Sequence, residues 1–148
     1  MPNGDRPLPT ANPETAAYWD GLRAGELRLE RCVDCTHISF PPRGFCPACG
    51  SRVTGTHVAS GLATLHSYVI SHRPAPGFEV PYVIAVVELA EGPRMMTNLL
   101  DVEPDPDCLP LDMPLELVPT AFSDEVTLPL FRPVDPEVSG GTAAGSAA

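Results

Sequence analysis

Four of the five cysteines stand in two C-x2-C pairs, Cys32 with Cys35 and Cys46 with Cys49, separated by ten residues. Thiolates at this spacing suit a metal: each pair makes a tight turn that presents two sulfurs, and two turns complete a tetrahedron around Zn2+. With sulfur at every corner, no position is left for water or substrate, so the expected cofactor is one structural Zn2+. Binding of zinc to so short a segment is coupled to folding, with an apparent free energy of roughly 10–16 kcal/mol. The rival metal is iron, since a C-P-x-C-G turn also serves one-electron iron sites. Those sites separate their turns by a longer, aromatic-packed stretch than "THISFPPRGF", and a coloured protein would reverse the preference for zinc.

The second turn, "CPACG", has Pro47 to fix φ after the first ligand and Gly50 to take a left-handed conformation that points backbone N–H groups at sulfur. The first, "CVDCT", has Thr36 in the glycine place, where a β-branched residue is strained and distortion of the turn is expected. Four thiolates on Zn2+ leave a net charge of about −2, which Arg31, Arg43 and Arg52 are close enough in sequence to offset.

The elements that must position these ligands are legible in outline. Residues 1–11 read as a flexible, proline-rich arm, and 12–26 as a short helix. In that helix Asn12 caps, Pro13 suits the first turn, Ala16, Trp19 and Leu22 share a face, and Gly25 ends it. Residues 27–58 form the metal-binding ribbon. Five runs rich in β-branched or aromatic residues follow, at 62–70, 81–89, 94–100, 115–122 and 126–131, with Gly92 serving a hairpin between the second and third. Five short strands over 59–134 suit a small, partly open barrel of the OB type, and 135–148 read as a disordered tail. The fold class is therefore mostly β: one N-terminal helix, a rubredoxin-like zinc ribbon, then a five-stranded OB-fold barrel.

Charge narrows the function. The net charge is −10, and all nine cations are arginine. Five of them lie between residues 20 and 60 against four acids, whereas thirteen acids and three arginines follow residue 60. An acidic barrel repels phosphate backbones and anionic membranes, so neither nucleic acid nor membrane is an expected partner. The first fifteen residues hold no apolar run, which points to a cytoplasmic protein.

Taken together, the Trp19 helix, "RLERCVDC", "FPPRGFCPACG", the "PGF…PY" loop, the "VELAEG" hairpin and the closing "LPLFRPV" resemble a family of small acyl-CoA-associated proteins, over residues 14–134. Members of that family join a zinc ribbon to an OB fold. The resemblance implies a non-catalytic companion of thiolase-like or sterol-carrier-type thiolase enzymes, aldolases or hydratases acting on CoA thioesters, with a CoA ester at or near the interface. Two turn positions depart from the family pattern: Thr36, and Asp112 where a turn glycine is common.

Candidate contacts to CoA or to a partner are Trp19, Arg43, Arg52, Phe78 and Tyr82. Each has a plainer reading: the arginines neutralise the metal site or face solvent, the Phe78 and Tyr82 rings pack at the barrel edge, and Trp19 is core. No catalytic residue is identified. The four histidines are scattered, Cys108 lies among acids that disfavour its thiolate, and no nucleophile elbow, Walker loop or dinucleotide fingerprint is present. Alternatives to an accessory subunit are a nucleic-acid-binding ribbon and an independent acyl-CoA-binding protein.

Overall fold

The computed structural model describes residues 6–135. One helix, α1 (Ala16–Arg23), is followed by β1 (Arg28–Cys32), β2 (Ile38–Ser39), β3 (Thr54–Val58), β4 (Leu62–Ser71), β5 (Tyr82–Leu89), β6 (Arg94–Asn98), a 3-10 turn (Pro106–Cys108), β7 (Pro114–Ala121) and β8 (Thr127–Pro133). The strands make two antiparallel sheets, β2-β1-β3 in the ribbon and β6-β5-β4-β7-β8 in a nearly closed barrel.

Helix α1 starts later than its sequence suggests. Asn12 and Thr15 bond each other reciprocally: Asn12 Oδ1 accepts from the Thr15 N–H at 2.9 Å, and Thr15 Oγ1 accepts from the Asn12 N–H at 3.0 Å. These bonds consume the capping groups in a turn ahead of the helix, so Thr15 rather than Asn12 is the N-cap. The helix ends at Gly25, at φ 84°, with the Glu26 N–H reaching Gly21 O and the Gly25 N–H reaching Leu22 O, a Schellman closure. Its buried face also differs from the expected stripe: Tyr18, Gly21 and Leu22 are buried, while Ala16 and Trp19 are only half-buried. Tyr18 packs on Phe40 of the ribbon, with ring centroids 5.4 Å apart, and Leu22 joins the shared core.

In β5 the burial alternates along its whole length. Val83, Ala85, Val87 and Leu89 point into the barrel, and Tyr82, Ile84, Val86 and Glu88 lie half-buried on the outer face. β4 pairs with β5 through a bulge between Leu65 and Ser67, which helps the sheet coil. The barrel closes between β6 and β8 by few bonds. Leu100 N–H donates to Phe131 O at 2.8 Å and Thr97 Oγ1 donates to Pro129 O at 2.7 Å. Pro129 carries no N–H, so a full ladder cannot form along this seam.

Tyr18, Leu22, Leu27 and Leu29 join Leu65, Val87, Leu115 and Phe131 in one hydrophobic cluster. Helix, ribbon base and barrel thus share a core, and the metal turns project from it. The long 101–113 connection is tied down by buried Leu109 and by Asp112, whose N–H reaches Leu65 O at 2.8 Å. Asp112 adopts φ 64°, the left-handed conformation that glycine takes more easily. The expected tail lies almost wholly outside the described residues. Of the expected arm, residues 6–11 are described; they form no helix or strand, but Arg6 packs tightly on the barrel.

Candidate metal centre and its surroundings

The turn after β1 and the loop before β3 bring Cys32, Cys35, Cys46 and Cys49 together, with all four sulfurs within 4.8 Å of one another. Cys32 Sγ lies 3.6 Å from Cys49 Sγ, and Cys35 Sγ lies 3.5 Å from Cys46 Sγ. A ZnS4 tetrahedron with bonds of about 2.3 Å has edges of about 3.8 Å, close to these separations, so the four sulfurs fit the ion. The first cysteine of each pair is buried and the second exposed.

The two turns are built alike. Thr36 N–H donates to Cys32 O at 3.0 Å, and Gly50 N–H donates to Cys46 O at 2.9 Å. Thr36 accepts φ 65° to do this, beside 79° for Gly50, so the expected distortion does not occur and the strain is held at Thr36 instead. Amides also point at sulfur: Cys35 N–H to Cys32 Sγ and Ala48 N–H to Cys46 Sγ, both at 3.4 Å. The Cys35 amide pulls Cys32 down to about 7, against the opposing effect of burial. One ligand is thereby predisposed to be a thiolate.

Glu30 was not singled out by the sequence, yet it fastens the second turn to β1. Its Oε2 accepts from the Arg43 and Gly44 N–H groups at 3.0 and 3.3 Å, while Oε1 is buried with no protein partner. The signal available was slight: an acid two residues before the first ligand, following Leu29 in "RLERC". A Ser51 hydroxyl donating to the Asp34 carboxylate links the two turns further.

The predicted contact residues do not form one site. Arg43 lines an open cleft of about 580 Å3 between ribbon and β5–β6 hairpin, with His37, Phe40, Pro47 and Arg94. Arg52 is exposed and lies outside that cleft. Among the described residues, neither arginine nor Arg31 forms an ion pair with a carboxylate. Trp19 stands edge-on to Tyr18 at 4.8 Å and lines a second cleft, at the barrel seam. Phe78 and Tyr82 stack on each other at 4.4 Å, and the Arg6 guanidinium covers the Phe78 ring at 4.2 Å. The cysteines are the one group of three or more potential metal ligands among the described residues. Among those residues, no helix is long and apolar enough to cross a membrane.

A closed four-cysteine zinc ribbon seated on the core of an OB-type barrel defines the class of protein. Residues 19–54 match the model of the ChsH2 rubredoxin-like zinc ribbon domain, and residues 56–119 match that of the ChsH2 C-terminal OB-fold domain. The chain belongs to this ChsH2 (DUF35) family, and the ribbon holds a structural zinc ion. It is 38% identical to a solved chain described as Ltp2-ChsH2(DUF35) aldolase, with a TM-score of 0.77 over 85% of this chain and 98% of that one. It is 39% identical to a probable enoyl-CoA hydratase alpha subunit of Thermomonospora curvata, over 92% of this chain but only 42% of that protein. It is 35% identical to a DUF35 domain-containing scaffold protein of Pyrococcus furiosus, over 62% of this chain and 69% of that protein. The chain therefore spans about two fifths of the length of the hydratase subunit that it matches.

Proposed function

We propose that this chain is a non-catalytic accessory subunit that docks on a cytoplasmic, thiolase-like enzyme of acyl-CoA metabolism and supports its thioester site. The observation that carries this reading is the similarity, over nearly the whole of that solved chain, to the ChsH2 component named with an aldolase. The relative named as a scaffold and the relative named as a hydratase subunit support it from the side of chemistry. The metal site supports it as well: four sulfurs saturate the ion, so the zinc organises the ribbon and activates no water.

Within this reading Trp19 and Arg43 are the contact residues of choice. Each lines an open cleft on the described surface, whereas Phe78 and Tyr82 are engaged with each other and with Arg6. A guanidinium at the edge of the Arg43 cleft suits the phosphates of a CoA ester held mainly by the partner.

Co-expression with the thiolase-like or aldolase-like proteins encoded beside it tests the proposal. A stable complex on size exclusion is expected, and Trp19→Ala or Arg43→Glu is expected to weaken it at least tenfold while zinc content is kept. Failure of every such neighbour to associate would count against the reading.

A further inference from the structure

Arg6 is the most unusual cation in the molecule. Its guanidinium lies between two rings, 4.2 Å from the centroid of Phe78 and 4.8 Å from that of Phe122. One terminal nitrogen, Nη2, donates to Asn98 Oδ1 at 3.0 Å, and the other, Nη1, is buried with no acceptor. No carboxylate pairs with it among the described residues. Asn98 is itself buried and committed through its amide nitrogen to Val83 O at 2.9 Å, so the arrangement is built rather than accidental. The chain packs against Gly77 so closely that a Cβ there would meet Arg6 Cβ at 2.5 Å. Arg6 is half-buried and ring faces offset part of the lost hydration, but its enclosed Nη1, with no acceptor among the described residues, remains costly to desolvate. Burial accordingly pushes the Arg6 pKa down.

Arg6 is among the residues that border the cleft at the β6–β8 seam. The cleft measures about 290 Å3 and is lined by Trp19, Phe40, Met95, Met96, Leu128 and Leu130 along with Arg6. The seam stays open because Pro129 cannot extend the ladder, and Met96 stands 72% exposed on its lip. An apolar trough with an uncompensated cation at one side is complementary to a molecule that is apolar along its length and anionic at one end.

We infer that the cleft between α1 and the β6–β8 seam is a binding site for an aliphatic monocarboxylate, its chain lying on Trp19, Phe40 and the methionines and its carboxylate supplying the counter-ion that Arg6 lacks among the described residues. Binding involves a small shift of the Arg6 side chain that turns Nη1 toward the cleft. The inference does not rest on the accessory role, but both readings use Trp19 and the same cleft, so carboxylate and partner compete for it, and titration of the chain alone tests the carboxylate site separately.

Trp19 is the lone tryptophan, so its emission reports on the cleft directly. The test titrates the zinc-loaded full chain with octanoate, with butyrate and with neutral octanamide. A saturable change in emission is expected, with octanoate binding about tenfold or more tighter than octanamide, since a hydrogen bond to a charged group adds that much. Butyrate is expected to bind more weakly than octanoate. Arg6→Gln keeps a donor for Asn98 and is expected to abolish the preference for the acid, with zinc content and thermal midpoint confirming the fold. The absence of a saturable change, equal binding of octanoate and octanamide, or an Arg6→Gln chain that keeps the preference overturns the inference. Should that variant not fold, the octanoate-to-octanamide ratio of the native chain decides the matter.

Discussion

Thr36 and Gly50 occupy equivalent places in the two metal turns, each donating its N–H to the carbonyl of the first cysteine of its pair at 3.0 and 2.9 Å. Only one of them is a glycine, and the fold keeps the geometry at the expense of strain in the other. Left-handed φ costs an L-residue roughly 1–2 kcal/mol, part of which glycine returns through its greater freedom when unfolded. Thr36→Gly is therefore expected to stabilise the zinc-loaded protein by about 0.5–1 kcal/mol, read from urea unfolding. Destabilisation would mean that the threonine side chain contributes a contact that outweighs its backbone.

Glu30 should matter more than an acid on a ribbon strand ordinarily would. Its single carboxylate oxygen holds two loop amides, and Glu30→Ala leaves both without a protein acceptor in a part-buried place. A loss of about 1–3 kcal/mol is expected. Glu30→Gln keeps a carbonyl acceptor and should lose less than half as much. Equal losses would assign the role to charge rather than to the two hydrogen bonds.

The seam depends on Phe131, which is fully buried and whose carbonyl receives Leu100 N–H at 2.8 Å. Phe131→Ala should cost about 3–5 kcal/mol in denaturant unfolding. A value near 1 kcal/mol would show that the β6–β8 side of the barrel is loosely packed.

Zinc affinity should fall with acid. The bound ion requires four thiolates, whereas the metal-free ribbon carries protons on its thiols, so binding releases protons and is weakened as pH falls. Cys32, pulled down to about 7, contributes a thiolate near neutrality, while burial and the neighbouring thiols outweigh the His37 amide and push Cys35 up to about 12. Chelator competition between pH 8 and pH 5 should show affinity dropping steadily toward the acid end, with loss of the ribbon's circular dichroism when zinc leaves. A flat profile would exclude a thiolate-only site.

How much of this was readable before the fold was known follows from the kind of contact involved. The five barrel strands were legible because they are long enough to show alternation or turn punctuation: β5 repeats an inward residue at every second place, and Gly92 marks the hairpin to β6. The ligand set was legible because the C-x2-C turn is a local motif. The ribbon strands were not, since β3 reads "TGTHV" and owes its pairing with β1 to the turns that the metal organises. Helix α1 was placed too early because Asn12 and Thr15 satisfy each other instead of the helix. Arg6 left no trace at all: its partners Phe78, Asn98 and Phe122 are 72 or more residues away and meet it only in three dimensions.

The division of labour between this chain and an enzyme partner is what the whole account rests on. Its most direct test is acyl-CoA turnover measured side by side for the zinc-loaded chain alone, the partner alone and the purified complex. The account predicts no turnover above background by the chain, and activity by the complex that exceeds that of the partner. Thioester conversion by this chain without a partner would contradict it.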